Sequence, residues 1–378
     1  MTGDATPAAD EGNDLNTSGS PDGLLQDIDG PQQACWTVGR AKNIRLDKWL
    51  GSRIPWVSRT RLQRLVAEEA VKVNGRIPKA STKLNPGDVV DILLPPTPTK
   101  DLPAQEIPLD IIHEDEHLLV LNKQPDLIVH PARSHQSGTL INGLAWHFQN
   151  AGSGSLSGVG SDHARPGVVH RLDRFTSGVM VIAKDDTTHW RLGRQFEQRR
   201  TRKRYLALVH GDMEPLTDVL DMPLGKHPTI REKYAVRWDD TGKEAITIYR
   251  VRERYGNFTL VELEIRTGRT HQIRIHLSHR GWPIAGDDMY GGRHLEVRDI
   301  LPPGSGHDRL AKLLERQALH ATLLGFTHPA TEEDVTFIAP LRADMAAVIR
   351  ALRDRGPVQR PKVPGTELDL DVVIPEPT

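Results

Sequence analysis

The spacing of apolar positions separates stretches of this chain that can bury a face from stretches that cannot. Residues 1 to about 41 are rich in Asp, Gly, Ser, Pro and Asn with few large apolar side chains, and residues 356 to 378 look similar, with five prolines. Such segments bury too little surface to offset the entropy of ordering them, which predicts disorder at both ends. Between them, Leu46, Trp49 and Leu50 share one face of a helix, and Leu62, Leu65 and Val66 share the face of a second, with Ser58 as its expected N-cap. Short strands are expected over 71–73 and 89–93, with turns at Asn74-Gly75 and Pro86-Gly87. Pro95, Pro96 and Pro98 then stiffen a linker.

From about residue 107 to 349 strand-like and helix-like segments alternate without the regular rhythm of a doubly wound sheet. Residues 117–122 and 178–183 read as buried strands, and Asp185 or Asp186 caps a helix running to about Arg200. Residues 203–210 form another strand, and 244–255 with 258–266 make a hairpin around Gly256-Asn257. Val261, Leu263 and Ile265 face one way and Glu262 and Glu264 the other, while Phe258 and Leu260 fall out of phase, which predicts a bulge. The fold class is α+β with a mostly antiparallel sheet. The expected division is a leader (1–41), a small α+β domain (42–97), a linker (98–106), a large domain (107–349), and a helix end with a disordered tail (350–378).

Composition changes this picture in two places. The formal net charge is -1, which by itself argues against a nucleic-acid binder, but the charge is uneven. Residues 1–34 carry seven acidic side chains and no Lys or Arg, whereas residues 44–95 carry ten Lys or Arg against five Asp or Glu. Phosphate responds to that local field rather than to the sum. A single cysteine, Cys35, excludes an intramolecular disulfide, and neither a signal peptide nor an apolar run long enough to span a bilayer is present. The expectation is a cytoplasmic, monomeric protein with no membrane partner.

Three polar clusters carry candidate chemistry: the loop around Asp173, the run Lys203-Arg204-Tyr205, and the segment from Arg269 to Arg274 that opens a helix after Thr267-Gly268. Taken singly, each has an ordinary structural role, as a turn former, a core tyrosine or a solvated helix face. His271, His276 and His279 lack a standard zinc spacing and a supporting carboxylate or cysteine, so no metal is expected. With neither a glycine-rich phosphate loop nor a cysteine cluster, no cofactor is expected either. A hydrolase reading lacks a nucleophile elbow.

Together the clusters resemble one family. His170, Arg171, Leu172, Asp173, Thr176, Ser177 and Gly178 are similar to the catalytic loop of the RluA-type pseudouridine synthases. The 268–274 segment, Asn122-Lys123 with Val129-His130-Pro131, and Leu319-His320-Ala321 with His328-Pro329 resemble its other signatures. Arg45-Leu46-Asp47, the Ser58 to Arg61 stretch and residues 71–75 resemble the S4 RNA-binding module. Gln124 and Asp126 depart from the Pro and Gly that the family commonly places there.

The resemblance implies a cofactor-free isomerisation of uridine in RNA, with large-subunit ribosomal RNA and its precursor particles as the expected partner. It implies Asp173 as the essential carboxylate, acting either as a nucleophile on the sugar or as a base at C2′. A carboxylate in a closed site drifts towards the neutral acid unless a cation holds it charged, and Arg274 is the expected cation, in a charge-assisted, bidentate pair. Tyr205 is the expected stacking and proton-transfer group. Arg171 and Arg174 are expected to fill the stack vacated by an extruded base or to hold phosphates, with Leu319 and His271 also lining the substrate site. Arg45, Arg59, Arg61 and Arg64 are the expected RNA contacts of the S4 module, and the basic run 199–204 a phosphate track.

Overall fold

The computed structural model describes residues 32–39, 43–54, 59–94, 103–130, 137–151, 156–157, 166–230, 232–300 and 312–376. The chain separates into two units, Met1–Pro98 and Thr99–Thr378.

The first unit contains β1 (Gln32–Thr37), β2 (Ile44–Arg45), α1 (Leu46–Arg53), α2 (Arg59–Ala67), β3 (Val71–Val73), β4 (Lys83–Leu84) and β5 (Val89–Leu94). Its sheet has the order β1-β5-β3, antiparallel throughout, with β2 and β4 pairing separately. Leu46, Trp49 and Leu50 of α1 and Leu62, Leu65 and Val66 of α2 are buried together over Val71, Val90 and Ile92, as their spacing predicts. Asn74 and Gly75 take φ of 51° and 76°, the two positive values a two-residue hairpin turn requires.

β1 corrects the expected leader. Ala34 and Val38 are buried, and the Trp36 ring meets Trp49 edge-on at 6.2 Å. These three positions form a period-two face that the polar composition around them conceals. The remainder of the leader, the expected cap Ser58 and most of the linker lie outside the described residues. The last linker residues are already anchored, since Asn142 donates to the Pro103 carbonyl at 2.9 Å.

The second unit contains β6 (Ile111–Glu114), β7 (Leu118–Lys123), α3 (Leu140–Ala151), β8 (Ser177–Ala183), α4 (Asp186–Glu197), β9 (Arg202–His210) and β10 (Thr217–Asp221). Next come β11 (Leu224–Lys226), β12 (Tyr234–Val236), β13 (Ile246–Arg254), β14 (Phe258–Ile265) and α5 (Gln272–His279). The described chain closes with β15 (Leu295–Glu296), α6 (Val297–Ile300), β16 (Lys312–Leu314), β17 (Leu319–Thr327), β18 (Asp334–Ile338), α7 (Ala343–Arg355) and α8 (Leu370–Val373). Among the described residues nine strands form one sheet of order β10-β13-β14-β9-β17-β8-β7-β6, with β18 on β17. Of its described strand pairs only β17–β8 is parallel, so the α+β class holds.

The sequence pattern misses at three points, each for a physical reason. α4 is capped by Asp185, which accepts from the Thr188 amide at 2.8 Å, but it ends at Glu197 because Arg199 turns left-handed at φ 59°. The bulge is present, yet its extra residue lies on β13 between Val251 and Glu253 rather than on β14. The expected disordered tail is ordered. Glu253 and Glu262 are buried, and the tail supplies partners to them: Arg360 donates to Glu253 at 2.7 Å and the Glu367 amide to Glu262 at 2.9 Å. Val363, Leu368, Val373 and Ile374 are buried with it.

Candidate active site

The loop bearing Asp173 is fastened from behind before its side chains are considered. Half-buried His170 accepts from the Val181 amide at 3.0 Å and stacks on Phe196. Burial, with the nearby Lys203 charge, depresses its pKa to about 3, so it acts as a neutral pin. The Lys123 ammonium is fully buried and donates to the carbonyls of Gln124, Leu127 and Arg174 at 2.8, 3.0 and 3.0 Å. The Ser177 hydroxyl meets His320 Nδ1 at 2.9 Å, which accounts for the Leu319-His320-Ala321 signature. Gly178 lies at φ 123°, where a Cβ would stand 2.2 Å from the Ala321 carbonyl oxygen. Only glycine lets β8 approach β17 this closely. That approach brings Tyr205 near the loop, because Ala321 pairs with Gly178 on one side and with Tyr205 on the other.

Asp173 keeps about a fifth of its side chain exposed (21%) and accepts one hydrogen bond from Arg274, Nη1 to Oδ2 at 3.1 Å. The expected bidentate pair exists, but with a different partner. Arg274 donates through Nε and Nη2 to Asp287 at 2.7 and 2.9 Å, and Asp287 is 1% exposed. Burial opposes the charge on Arg274, yet the hydrogen bonds and charge of Asp287, joined by Asp173, raise its pKa above the usual value. The guanidinium also lies over the Tyr290 ring at 4.9 Å.

His271, at φ 55° at the head of α5, sits with Nε2 at 3.9 Å from Asp173 and Nδ1 at 2.8 Å from the Tyr290 hydroxyl. Burial holds its pKa below the ordinary value despite the nearby Asp173 carboxylate. The turn before α5 is set by Gln272, whose side chain joins Thr267, the Arg269 amide and the Ile246 carbonyl. Burial, and then the charge of Asp173, push the Tyr205 phenol above its ordinary range, so it stays a protonated donor at neutral pH.

The remaining expected residues divide. Leu319 is buried in the same core cluster as Tyr205. Arg171 and Arg174 are exposed beside Asp173. Arg174 bonds Asp126 at 2.6 Å and lies over the Phe175 ring at 5.0 Å. Asp126 itself adopts φ 61°, a left-handed backbone that glycine takes most readily. Asp287 and Tyr290 stand outside the residues that the sequence pattern singles out. Their signal is the glycine cluster Gly286, Gly291 and Gly292 around them, two of which lie at positive φ (81° and 90°) and so wind a tight turn.

Comparison with known proteins places the chain among RNA-modifying enzymes. Residues 117–279 match the RNA pseudouridylate synthase family, and residues 44–90 match the S4 domain. An uncharacterized RNA pseudouridine synthase of Bacillus subtilis, YlyB, is 41% identical over 83% of this chain and 96% of its own. The chain belongs to the RNA pseudouridine synthase family. A ribosomal large subunit pseudouridine synthase D from Zymomonas mobilis is 40% identical over 82% of this chain and 93% of its own. The counterpart from Pasteurella multocida is 36% identical over 82% and 91%.

In this synthase the basic run 199–204 is not the free strip its sequence suggested. Arg199 pairs with Glu244 at 2.7 Å, Arg202 with Glu367 at 2.9 Å, and buried Arg204 with Glu262, Glu264 and Glu367. Lys203 lies over the Phe196 ring at 6.0 Å. In the S4 unit Arg45 forks onto buried Asp47 at 3.0 and 2.9 Å, and exposed Arg64 pairs with Glu68. The side chains of Arg59 and Arg61 lie outside the described residues. His276 is engaged by Thr247 and the Met222 carbonyl. No helix among the described residues is long and apolar enough to cross a membrane.

Proposed function

We propose that this synthase isomerises specific uridines of large-subunit ribosomal RNA, as a cytoplasmic monomer acting on precursor particles, with Asp173 as the reacting carboxylate. The observation that carries this reading is the partly open Asp173 carboxylate, held by one bond from an arginine that is itself locked on Asp287. The names of relatives such as the ribosomal large subunit synthase of Zymomonas mobilis support the choice of RNA.

The C1′–N1 bond of uridine breaks, the uracil turns, and C5 bonds to C1′. C5 gives up its proton and N1 gains one, so no atom or electron is lost and no cofactor is needed. Attack at C1′ and proton removal at C2′ both require Asp173 ionised, and Arg274 donates one charge-assisted hydrogen bond to its Oδ2. Tyr205, protonated and flat, packs against the uracil beside Leu319, and neutral His271 donates to it. Asp287 is a positioning residue that acts through Arg274.

The uridine is extruded from its stack, at a cost of a few kcal/mol. Arg171 and Arg174 offset that cost by occupying the gap or holding phosphates, while Arg45, Arg59, Arg61 and Arg64 of the S4 unit hold RNA phosphates. Pseudouridine mapping of ribosomal RNA from cells lacking the gene tests the substrate. Large-subunit marks should vanish and return with wild type but not with Asp173→Asn; marks that persist in the deletion strain refute the assignment.

A further inference from the structure

A second basic feature lies outside the reaction centre. A cavity of about 570 Å³ opens beside the head of α5, between the β11–β12 hairpin and the turn at Gly268. Among the described residues its lining includes Lys226, Arg237, Lys243 and Arg269, together with His227, and no carboxylate, although Arg237 pairs with Asp239 beside it. Among the described residues neither Lys226 nor Lys243 has an ion-pair partner, unlike the arginines of the 199–204 run. His227 Nδ1 accepts from the Thr229 and Ile230 amides at 3.3 and 3.1 Å, which leaves Nε2 as a donor.

Two further observations point to an anionic, nucleotide-sized occupant. The volume falls within the range of small-ligand pockets, and two lysines without an ion-pair partner among the described residues act as strongly hydrated point charges suited to phosphate. Gly268 on the rim has no left-handed backbone, and no atom lies within 4 Å of the point where a Cβ would stand. Neither packing nor backbone therefore demands glycine there, and its absent side chain keeps the entrance clear. The cavity also shares a wall with the reaction centre. The Tyr234 ring meets the His271 ring edge-on at 6.1 Å, and the Tyr234 amide donates to the Tyr290 hydroxyl at 3.2 Å.

We propose that this cavity binds the phosphate and sugar of a nucleotide flanking the target uridine on the same RNA strand, and so sets the register in which that uridine meets Asp173. The proposal rests on Asp173 as the reacting carboxylate. Phosphate contacts position a strand without reading its sequence, so the pocket acts on binding and register, not on the chemical step.

The test uses the full-length protein and a large-subunit RNA fragment carrying its mapped uridine. Lys226→Gln/Lys243→Gln should raise KM about tenfold, leave kcat within about twofold, and flatten the dependence of log KM on log salt by roughly 0.7 for the one phosphate no longer neutralised. Replacing each phosphate near the uridine in turn by a neutral methylphosphonate should weaken wild-type binding sharply at one or two adjacent positions, and should have no effect there on the double variant. An unchanged KM and salt slope overturns the proposal, and so does an equal loss at every phosphate, which would mark a diffuse field. Failure of the underlying reading looks different: turnover would survive Asp173→Asn whatever the lysines do.

Discussion

Two carboxylates hold the same arginine, one from the loop before β8 and one from the glycine-wound turn after α5, and they differ in burial and in geometry. Asp287 is 1% exposed and takes the two-pronged edge of Arg274, whereas the Asp173 side chain is 21% exposed and takes one remaining N–H. A buried, bidentate carboxylate fixes the plane and charge of a guanidinium. The second carboxylate is then steadied without being consumed, because two carboxylates and one guanidinium leave a net negative charge in the trio. On the proposed reading the difference separates a positioning group from a reacting one, although both are aspartates bonded to one side chain.

The largest effect that can break this comparison comes from Asp173→Asn, which is isosteric and leaves the loop anchors in place. Single-turnover pseudouridine formation should fall by about four orders of magnitude with RNA affinity retained. Asp287→Asn should cost less, about two orders of magnitude in kcat with KM nearly unchanged, because Arg274 loses its fixed orientation. Asp287→Glu should recover part of that rate. A merely structural Asp287 would lower the yield of folded protein and leave the kcat of the folded fraction intact.

The smallest effect concerns the anchor behind the loop. Burial depresses the Lys123 pKa to about 7 from an ordinary 10.5. Between those values the unfolded chain binds a proton that the folded chain does not, so stability rises with pH across that window, by no more than about 1.4 kcal/mol per pH unit. Denaturant unfolding of wild type and Lys123→Met from pH 7 to 10 should show this rise in the former only. Equal slopes would remove Lys123 as its source.

Legibility in the sequence followed contiguity. The Asp173 loop, the Arg274 segment and Tyr205 each sit in short runs that together carry the family resemblance, and the structure brings them together. Asp287 was hidden because its partner is 13 positions away and its own neighbourhood is a glycine turn with no apolar period. The run 199–204 misled for the complementary reason. Its partners Glu244, Glu262, Glu264 and Glu367 are supplied by distant segments, so a dense charge pattern became internal ion pairs. Two of these carboxylates, Glu262 and Glu367, also anchor the proline-rich tail, which composition alone assigns to disorder. Lys226 and Lys243, unremarkable in the sequence, are the pocket lysines left without ion-pair partners among the described residues.

The most direct measurement is a double-mutant cycle on the chemical step, with single-turnover rates for Asp173→Asn, Asp287→Asn and the two combined. If Asp287 acts only through Arg274 on Asp173, the double variant is no slower than Asp173→Asn alone. Losses that multiply would show that Asp287 serves the reaction independently of Asp173, and would contradict the division of labour between the two carboxylates.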